Sequence, residues 1–209
     1  MDSSFLTITN LLVIVTVVVS WHVFNRPDLR EKMVFSPYAV RKAGDYYRFV
    51  SSGFIHADWL HLLFNMFALY SFGNVVEAYY KVIFGEMGNL MYLLLYLGGM
   101  VMADAYTYYK LKDYSHYRSL GASGAVSGIV LSFILFQPLS QILVFFIPMP
   151  AVLAGLLYMG YSYYASLKGT DNVAHEAHFF GGLFGILFTL VFRPSIGQHF
   201  WQQLFGTSI

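Results

Sequence analysis

SLGASGAVSGIVLSFILFQPLSQILVFFIPMPAVLAGLLYMGYSYYASL, residues 119–167, holds no Asp, Glu, Lys or Arg between Arg118 and Lys168. A helix that crosses a bilayer takes about 20 apolar residues, so this stretch is long enough for two spans and a turn. Gln137-Pro138-Leu139-Ser140-Gln141 marks the turn, since proline stops a helix and its flanks are polar. The rest of the 209-residue chain agrees: 57% of it is hydrophobic and only 11% charged, against roughly 25% charged in soluble domains. Six spans take about 120 residues, close to the apolar share. This composition excludes an ordinary soluble enzyme, a disordered chain, a nucleic-acid binder and a disulfide scaffold. A net charge of +1 implies no polyanionic partner, and the lack of cysteine excludes a thiol nucleophile and thiolate metal sites. The expected fold is an all-α membrane protein.

Charges divide the remainder into further spans. The prediction is one six-helix transmembrane domain over residues 1–209, with spans at about 5–24, 56–80, 87–109, 120–136, 148–167 and 174–192. The first ends in Trp21 and His22 at an interface, and lacks the basic start and small-residue cleavage site of a removed signal peptide. The connection after it mixes charges with aromatics and is expected to lie on the membrane surface. Pro148 and Pro150 leave Ile142 to Ile147 as an apolar interfacial stretch and allow helix five to start as late as Ala151. Ten of the 12 basic residues (Arg26, Arg30, Lys32, Arg41, Lys42, Arg48, Lys110, Lys112, Arg118 and Lys168) fall after helices one, three and five, leaving Lys81 and Arg193 on the other face. Taken alone, the positive-inside rule puts the ten-charge face in the cytoplasm.

Polar groups inside spans are costly and mark function by default. Helix two is read as carrying His56, His61 and Asn65, the last two stacked four residues apart on one face. Helix four opens with Gly121-Ala122-Ser123-Gly124-Ala125-Val126-Ser127-Gly128, and helix six with His175-Glu176-Ala177-His178, then Gly181, Gly182 and Gly185. All three groups occupy the same end of alternate helices. The glycine pairs 124/128 and 181/185 give each helix a groove for close approach. Packing the two grooves together brings Ser123 to a helix-six histidine, either His175 or His178, that can take its proton. The first turn of helix four, with its free N–H groups, favours an oxyanion at Ser123, and His61 and Asn65 can donate to the same oxygen. Singly, each piece has a plainer use: Ser123 in packing, a lone histidine in a helix–helix hydrogen bond, His61 with Asn65 as a clasp. Glu77 and Asp104 read as structural or interfacial rather than catalytic. The coincidence at one depth makes a site for acyl transfer.

This constellation resembles the rhomboid family of intramembrane serine proteases. The resemblance covers about Arg48 to Gly185 and rests on Gly121-Ala122-Ser123-Gly124, His56-x4-His61-x3-Asn65, and Ala177-His178 followed by Gly181 and Gly185. It implies a six-helix bundle of rhomboid type, with Ser123 as nucleophile and His178 as general base in a dyad without an obligatory carboxylate. The Ser123 N–H, His61 and Asn65 would form the oxyanion hole, supported by His56 and Gly121, with Arg48 and Glu77 structural. His178 is preferred to His175 because its glycines, at plus three and plus seven, match the family spacing. Implied substrates are single-pass membrane proteins entering laterally from the lipid bilayer. No cofactor, metal or nucleic acid is implied. Prolines and Gly169 make helix five and the connection after it candidate gates. The pattern departs from the family at Ser127, where a tyrosine often stacks on the catalytic imidazole. The family also places its site on the extracytoplasmic side, against the charge count.

Two other enzyme classes fit less well. His175-Glu176-Ala177-His178 is one residue short of H-E-x-x-H, though its histidines could share a metal with His56 or His61. The lipase elbow G-x-S-x-G fails at Ala125. A non-cleaving rhomboid-like protein that binds transmembrane helices is the alternative to a protease. A transporter would instead concentrate polar groups near the membrane centre.

Overall fold

A computed structural model describes residues 6–144, 146–168 and 173–206, so residue 5 of the first expected span and Gly169 lie outside the described residues. The chain is mostly helical. In order it forms α1 (Ile8–Phe24), α2 (Pro27–Met33), α3 (Pro37–Ala43), α4 (Arg48–Ser51), α5 (Trp59–Phe84), α6 (Gly88–Leu111), α7 (Ser123–Phe136), strands β1 (Gln141–Val144) and β2 (Ile147–Pro150), α8 (Ala151–Lys168), α9 (His175–Phe192) and α10 (Ser195–Phe205). The run Trp59–Leu111, which holds α5 and α6, and α9 are long and apolar enough to cross a membrane, while α1 and α7 are apolar but shorter.

The helices carry their small and polar residues inward. On α1 the buried stripe is Thr9, Leu12, Thr16, Ser20 and Val23, while Leu11, Ile14, Val15 and Val18 face out. On α5, Asn65, Gly73 and Glu77 are buried, while Leu60, Leu63, Phe64 and Phe67 are exposed. Water offers nothing to such an exterior, whereas helices that associate in lipid do so through small and hydrogen-bonding side chains.

Hydrogen bonds set the directions of the long helices. The Glu77 carboxylate, late in α5, accepts from the Ile8 N–H at 3.0 Å, the Thr9 N–H at 2.8 Å and the Thr9 hydroxyl at 2.8 Å. It thereby satisfies the free N–H groups at the start of α1, where the helix dipole also favours an anion. At the other end of α1, Ser20 donates to the Phe54 carbonyl at 3.0 Å, just ahead of α5, so the two helices are antiparallel. Late in α9, Thr189 Oγ1 lies 2.9 Å from the Tyr80 hydroxyl of α5 and 3.1 Å from Ser132 Oγ of α7. The middle of the fold is α7, in which every residue after Ser123 except the partly buried Val130 is buried. α8 is peripheral and packs mainly on α9.

Several expectations need correction. Helix two starts at Trp59, because Asp58 is an effective N-cap, accepting from the His61 N–H at 2.8 Å. His56 therefore stands in the loop ahead of the helix. Helix four starts at Ser123 and not near residue 120, since Gly121 has φ +116°, outside the right-handed helical region. The all-α expectation misses a hairpin: Ile142 to Ile147 contributes to β1 and β2, paired with Gln141 opposite Pro150. A two-stranded ribbon has only edge strands, which tolerate the missing N–H groups of Pro148 and Pro150. Helix five accordingly starts at Ala151, after the expected residue 148. The first connection is folded into α2, α3 and α4, held by the Arg48 guanidinium, which donates to the Glu31 and Val34 carbonyls at 2.7 and 2.9 Å and to Asp45 at 2.9 Å. Arg193 and Pro194 end the last expected span, but an unforeseen amphipathic helix, α10, follows, its Gln203 donating to the Phe136 carbonyl at 2.9 Å.

Candidate active site

Four glycines bring the starts of α7 and α9 together. A Cβ on Gly181 would overlap the Gly124 carbonyl, one on Gly185 the Gly128 carbonyl, and one on Gly128 would meet the Gly181 carbonyl at 2.9 Å. The backbones touch with no side chain between them. At this separation Ser123, the first residue of α7, has its Oγ 2.8 Å from Nε2 of His178 in the first turn of α9. For the serine to donate here, His178 must carry its proton on Nδ1. Both side chains are partly exposed, whereas His175 is buried, its ring edge-on to Tyr161 at 5.4 Å.

Ser123, His178, His61 and Asn65 line one cavity of about 1030 Å³, together with Asp58, His116 and Arg118. Asn65 donates to the His61 carbonyl at 3.0 Å, one turn back on α5. The His61 ring lies directly over Gly121, where a Cβ would come within 2.7 Å of Cε1. Gly121 is thus required twice, for its positive φ and for the space above it. Its N–H donates to the Ser52 carbonyl at 3.0 Å, and an antiparallel bridge joins Phe35 to Ser119 just upstream. These contacts fix where α7 begins.

His56 is a strut between three elements. Its Nε2 accepts from the Ala122 N–H at 3.4 Å, and its Nδ1 lies 3.0 Å from Ser20 Oγ, which donates onward to Phe54. That sequence of donors requires neutral His56 protonated at Nδ1. Burial, followed by the neighbouring His61, pulls its pKa down to about 3. The His56 ring meets His61 edge-on at 4.9 Å, passing the position of α1 to a residue of the cavity wall.

The position of Ser127 is informative. Its Oγ lies 2.6 Å from the hydroxyl of Tyr158 on α8, and the Tyr158 ring stacks on His178, centroids 6.2 Å apart and planes at 25°. An aromatic therefore lies against the His178 imidazole, from a helix the sequence motifs did not include. On the far side of α9, Glu176 pairs with Lys110 and lies 3.5 Å from the Thr107 hydroxyl, joining the first turn of α9 to α6. Behind Ser123 a cavity of about 20 Å³, bordered by Ser52, Asp104 and Ser119, has room for about one water. Among the described residues no three His, Asp or Glu side chains gather where they would hold a metal.

Residues 43–195 match the Rhomboid domain. The chain belongs to the rhomboid family. This rhomboid is 33% identical over 178 residues to RHOMBOID-like protein 12, mitochondrial, of Arabidopsis thaliana, covering 79% of this chain and 52% of that one. It is 28% identical over 141 residues to Rhomboid protease GluP of Bacillus subtilis (68% and 25% covered) and 26% identical over 210 residues to Rhomboid protease AarA of Providencia stuartii (90% and 72%). It spans about half the length of the Arabidopsis relative. With its apolar helices it is a rhomboid-family membrane protein, and its relatives include proteins named mitochondrial and chloroplastic and proteins from bacteria.

Ser123, His178, His61 and Asn65 border the cavity, and His56, Gly121 and the glycines of α7 and α9 hold them in place, whereas His175 is not among the lining residues. Tyr158 was missed. The signal available was the vacancy at Ser127, which called for an aromatic elsewhere, but only the packing of α8 on α9 shows which one. Ser20 and Ser52 were missed too, as was the pairing of Glu176 with Lys110, because the partners are distant in the chain.

Proposed function

We propose that this rhomboid is an intramembrane serine endopeptidase that cuts membrane-anchored proteins in or near their transmembrane helix. The observation that carries this reading is the 2.8 Å approach of Ser123 Oγ to His178 Nε2 on the wall of a large cavity shared with His61 and Asn65. Ser123 Oγ attacks the scissile carbonyl carbon as His178 Nε2 takes its proton. The Ser123 N–H, at the start of α7, and the side chains of His61 and Asn65 supply donors for the oxyanion. His178 then gives the proton to the leaving amide nitrogen. A water attacks the acyl-enzyme, with His178 again the base, and restores Ser123.

The lengths of the helices support a site below the membrane surface. In this reading α1, α5, α6, α7, α8 and α9 cross the bilayer. α7 has 14 residues, about 21 Å at 1.5 Å each, against a hydrocarbon core of about 30 Å. Its first turn then lies below the surface, and the cavity above it admits water. Substrate enters between α5 and α8, since α8 is held mainly through α9. The Tyr158 ring against His178 supports cleavage over helix binding alone, because it gives the base an aromatic neighbour that Ser127 does not supply.

In detergent the protein is expected to cleave a single-span reporter and to take up a fluorophosphonate on Ser123, located by peptide mass spectrometry, with EDTA changing neither. Intact reporter co-purifying with unlabelled protein would point to the non-cleaving alternative. We place the cavity on the extracytoplasmic side, as the family resemblance implies. The chain lacks cysteine, so a single Ser115→Cys variant reports its side directly. Modification by an impermeant maleimide on intact bacterial spheroplasts is the expected result; modification only after permeabilisation reverses the orientation.

A further inference from the structure

We infer that Tyr158 is a positioning residue for His178, so that the geometry of the dyad depends on where α8 stands. The inference rests on the proteolytic reading above and adds a residue and a dependence that the motifs do not contain. Two contacts, with α9 and α7, meet at this side chain, and a third within α7 carries one of them on to Ser123. Its ring is stacked on the His178 imidazole, at a separation and tilt within the range of favourable offset pairs. Its hydroxyl is 2.6 Å from Ser127 Oγ. Ser127 in turn donates to the Ser123 carbonyl at 2.7 Å. With that hydrogen committed, the Tyr158 hydroxyl is the donor to Ser127. The chain Tyr158–Ser127–Ser123 ties the ring to the turn that carries the nucleophile, while the ring itself limits rotation of the base.

The source of the ring gives the arrangement its consequence. α7 and α9 are locked by glycine contacts and cannot separate without breaking the core. α8 has only four buried residues among its 18, with Leu153, Leu156, Leu157, Tyr161 and Tyr164 exposed. Outward movement of α8 withdraws Tyr158 from both His178 and Ser127, and removes its hold on the imidazole beside Ser123. Ser127 lies one turn beyond Ser123 on the same face of α7, so an aromatic placed there would approach His178 from a fixed helix.

The test compares Tyr158→Phe, Tyr158→Ala, and Tyr158→Ala combined with Ser127→Tyr. Two rates are read: cleavage of a single-span reporter, split into kcat and KM, and modification of Ser123 by a small soluble fluorophosphonate. The probe reaches the cavity from water and needs no helix movement. Tyr158→Phe keeps the ring and loses the hydrogen bond, and is expected to cost about threefold in both rates. Tyr158→Ala is expected to lower kcat and the probe rate about 30-fold with KM changed less than about threefold, since misplacement by about 1 Å costs on the order of 10²-fold. Adding Ser127→Tyr fills the vacated space and is expected to recover at least about tenfold. Melting in detergent controls for folding, and the recovery separates a lost ring from a damaged fold. A wild-type probe rate in Tyr158→Ala, or no recovery in the double variant, overturns the inference while leaving the protease intact. Wild-type protein that neither cleaves nor labels overturns both.

Discussion

Ser123→Ala and His178→Ala are each expected to lower kcat for a single-span reporter by at least about 10⁴-fold, and the double variant to be no slower than either. Each tenfold loss is about 1.4 kcal/mol of transition-state stabilisation, so four decades amount to about 5.5 kcal/mol. A serine hydroxyl without a base is a weak nucleophile, and a base without the hydroxyl has nothing to activate. Members of such a unit are therefore grossly non-additive. What activity remains comes from binding and from oxyanion donors that neither substitution removes. His175→Ala supplies the contrast. Its ring is buried edge-on to Tyr161, and its loss is expected to change kcat less than about threefold. Equal losses at His175 and His178 would remove the dyad assignment, as would cleavage surviving Ser123→Ala.

The second large effect is expected far from any reacting atom. Gly185→Val places its Cβ against the Gly128 carbonyl, where backbone and not a mobile side chain stands in the way. α7 and α9 must part, and the Thr189–Ser132 contact one turn on is lost with them. Overpacking of this kind costs about 1–3 kcal/mol where side chains can yield, and more here. Gly185 lies seven residues beyond His178, about 10 Å along the helix, so the displacement reaches the dyad. Loss of cleavage by at least about 100-fold is expected, with a clear drop in melting temperature in detergent. Gly160→Ala on α8 is the control, since a Cβ there meets no atom within 4 Å, and it should match wild type in both measurements. A Gly185→Val protein that melts and cleaves normally would show that the close approach of α7 and α9 is dispensable.

Much of the site is legible along the chain because its chemistry is local. Ser123 with its flanking glycines, His61 above Asn65, and His178 ahead of Gly181 and Gly185 each fit within two helical turns, and such spacing survives in the sequence whatever the tertiary fold. Contacts between distant segments leave no such trace. That Glu77 closes the start of α1, that His56 bridges Ser20 to Ala122, and that Glu176 reaches Lys110 follow only once the helices are arranged. The folding of the first connection was hidden for a related reason. Its short helices are held by a buried arginine acting on distant carbonyls, and its mixed charges gave no periodicity to read.

The hairpin and the boundaries of α5 and α7 were decided by backbone chemistry that an apolar pattern does not register: a capping aspartate, a glycine at positive φ, two prolines. Composition by itself determined that the chain belongs in lipid, since an 11% charged sequence has too little polar surface for water. Spacing determined which serine, histidines and asparagine share one end of alternate helices. Only the tertiary structure decided which helix-six histidine lies 2.8 Å from Ser123 and which aromatic stacks on it. The first depends on the azimuth at which two glycine faces meet. The second depends on the rotation of α8 about its own axis. Neither angle is encoded in the order of residues along a single helix; both emerge from packing among several.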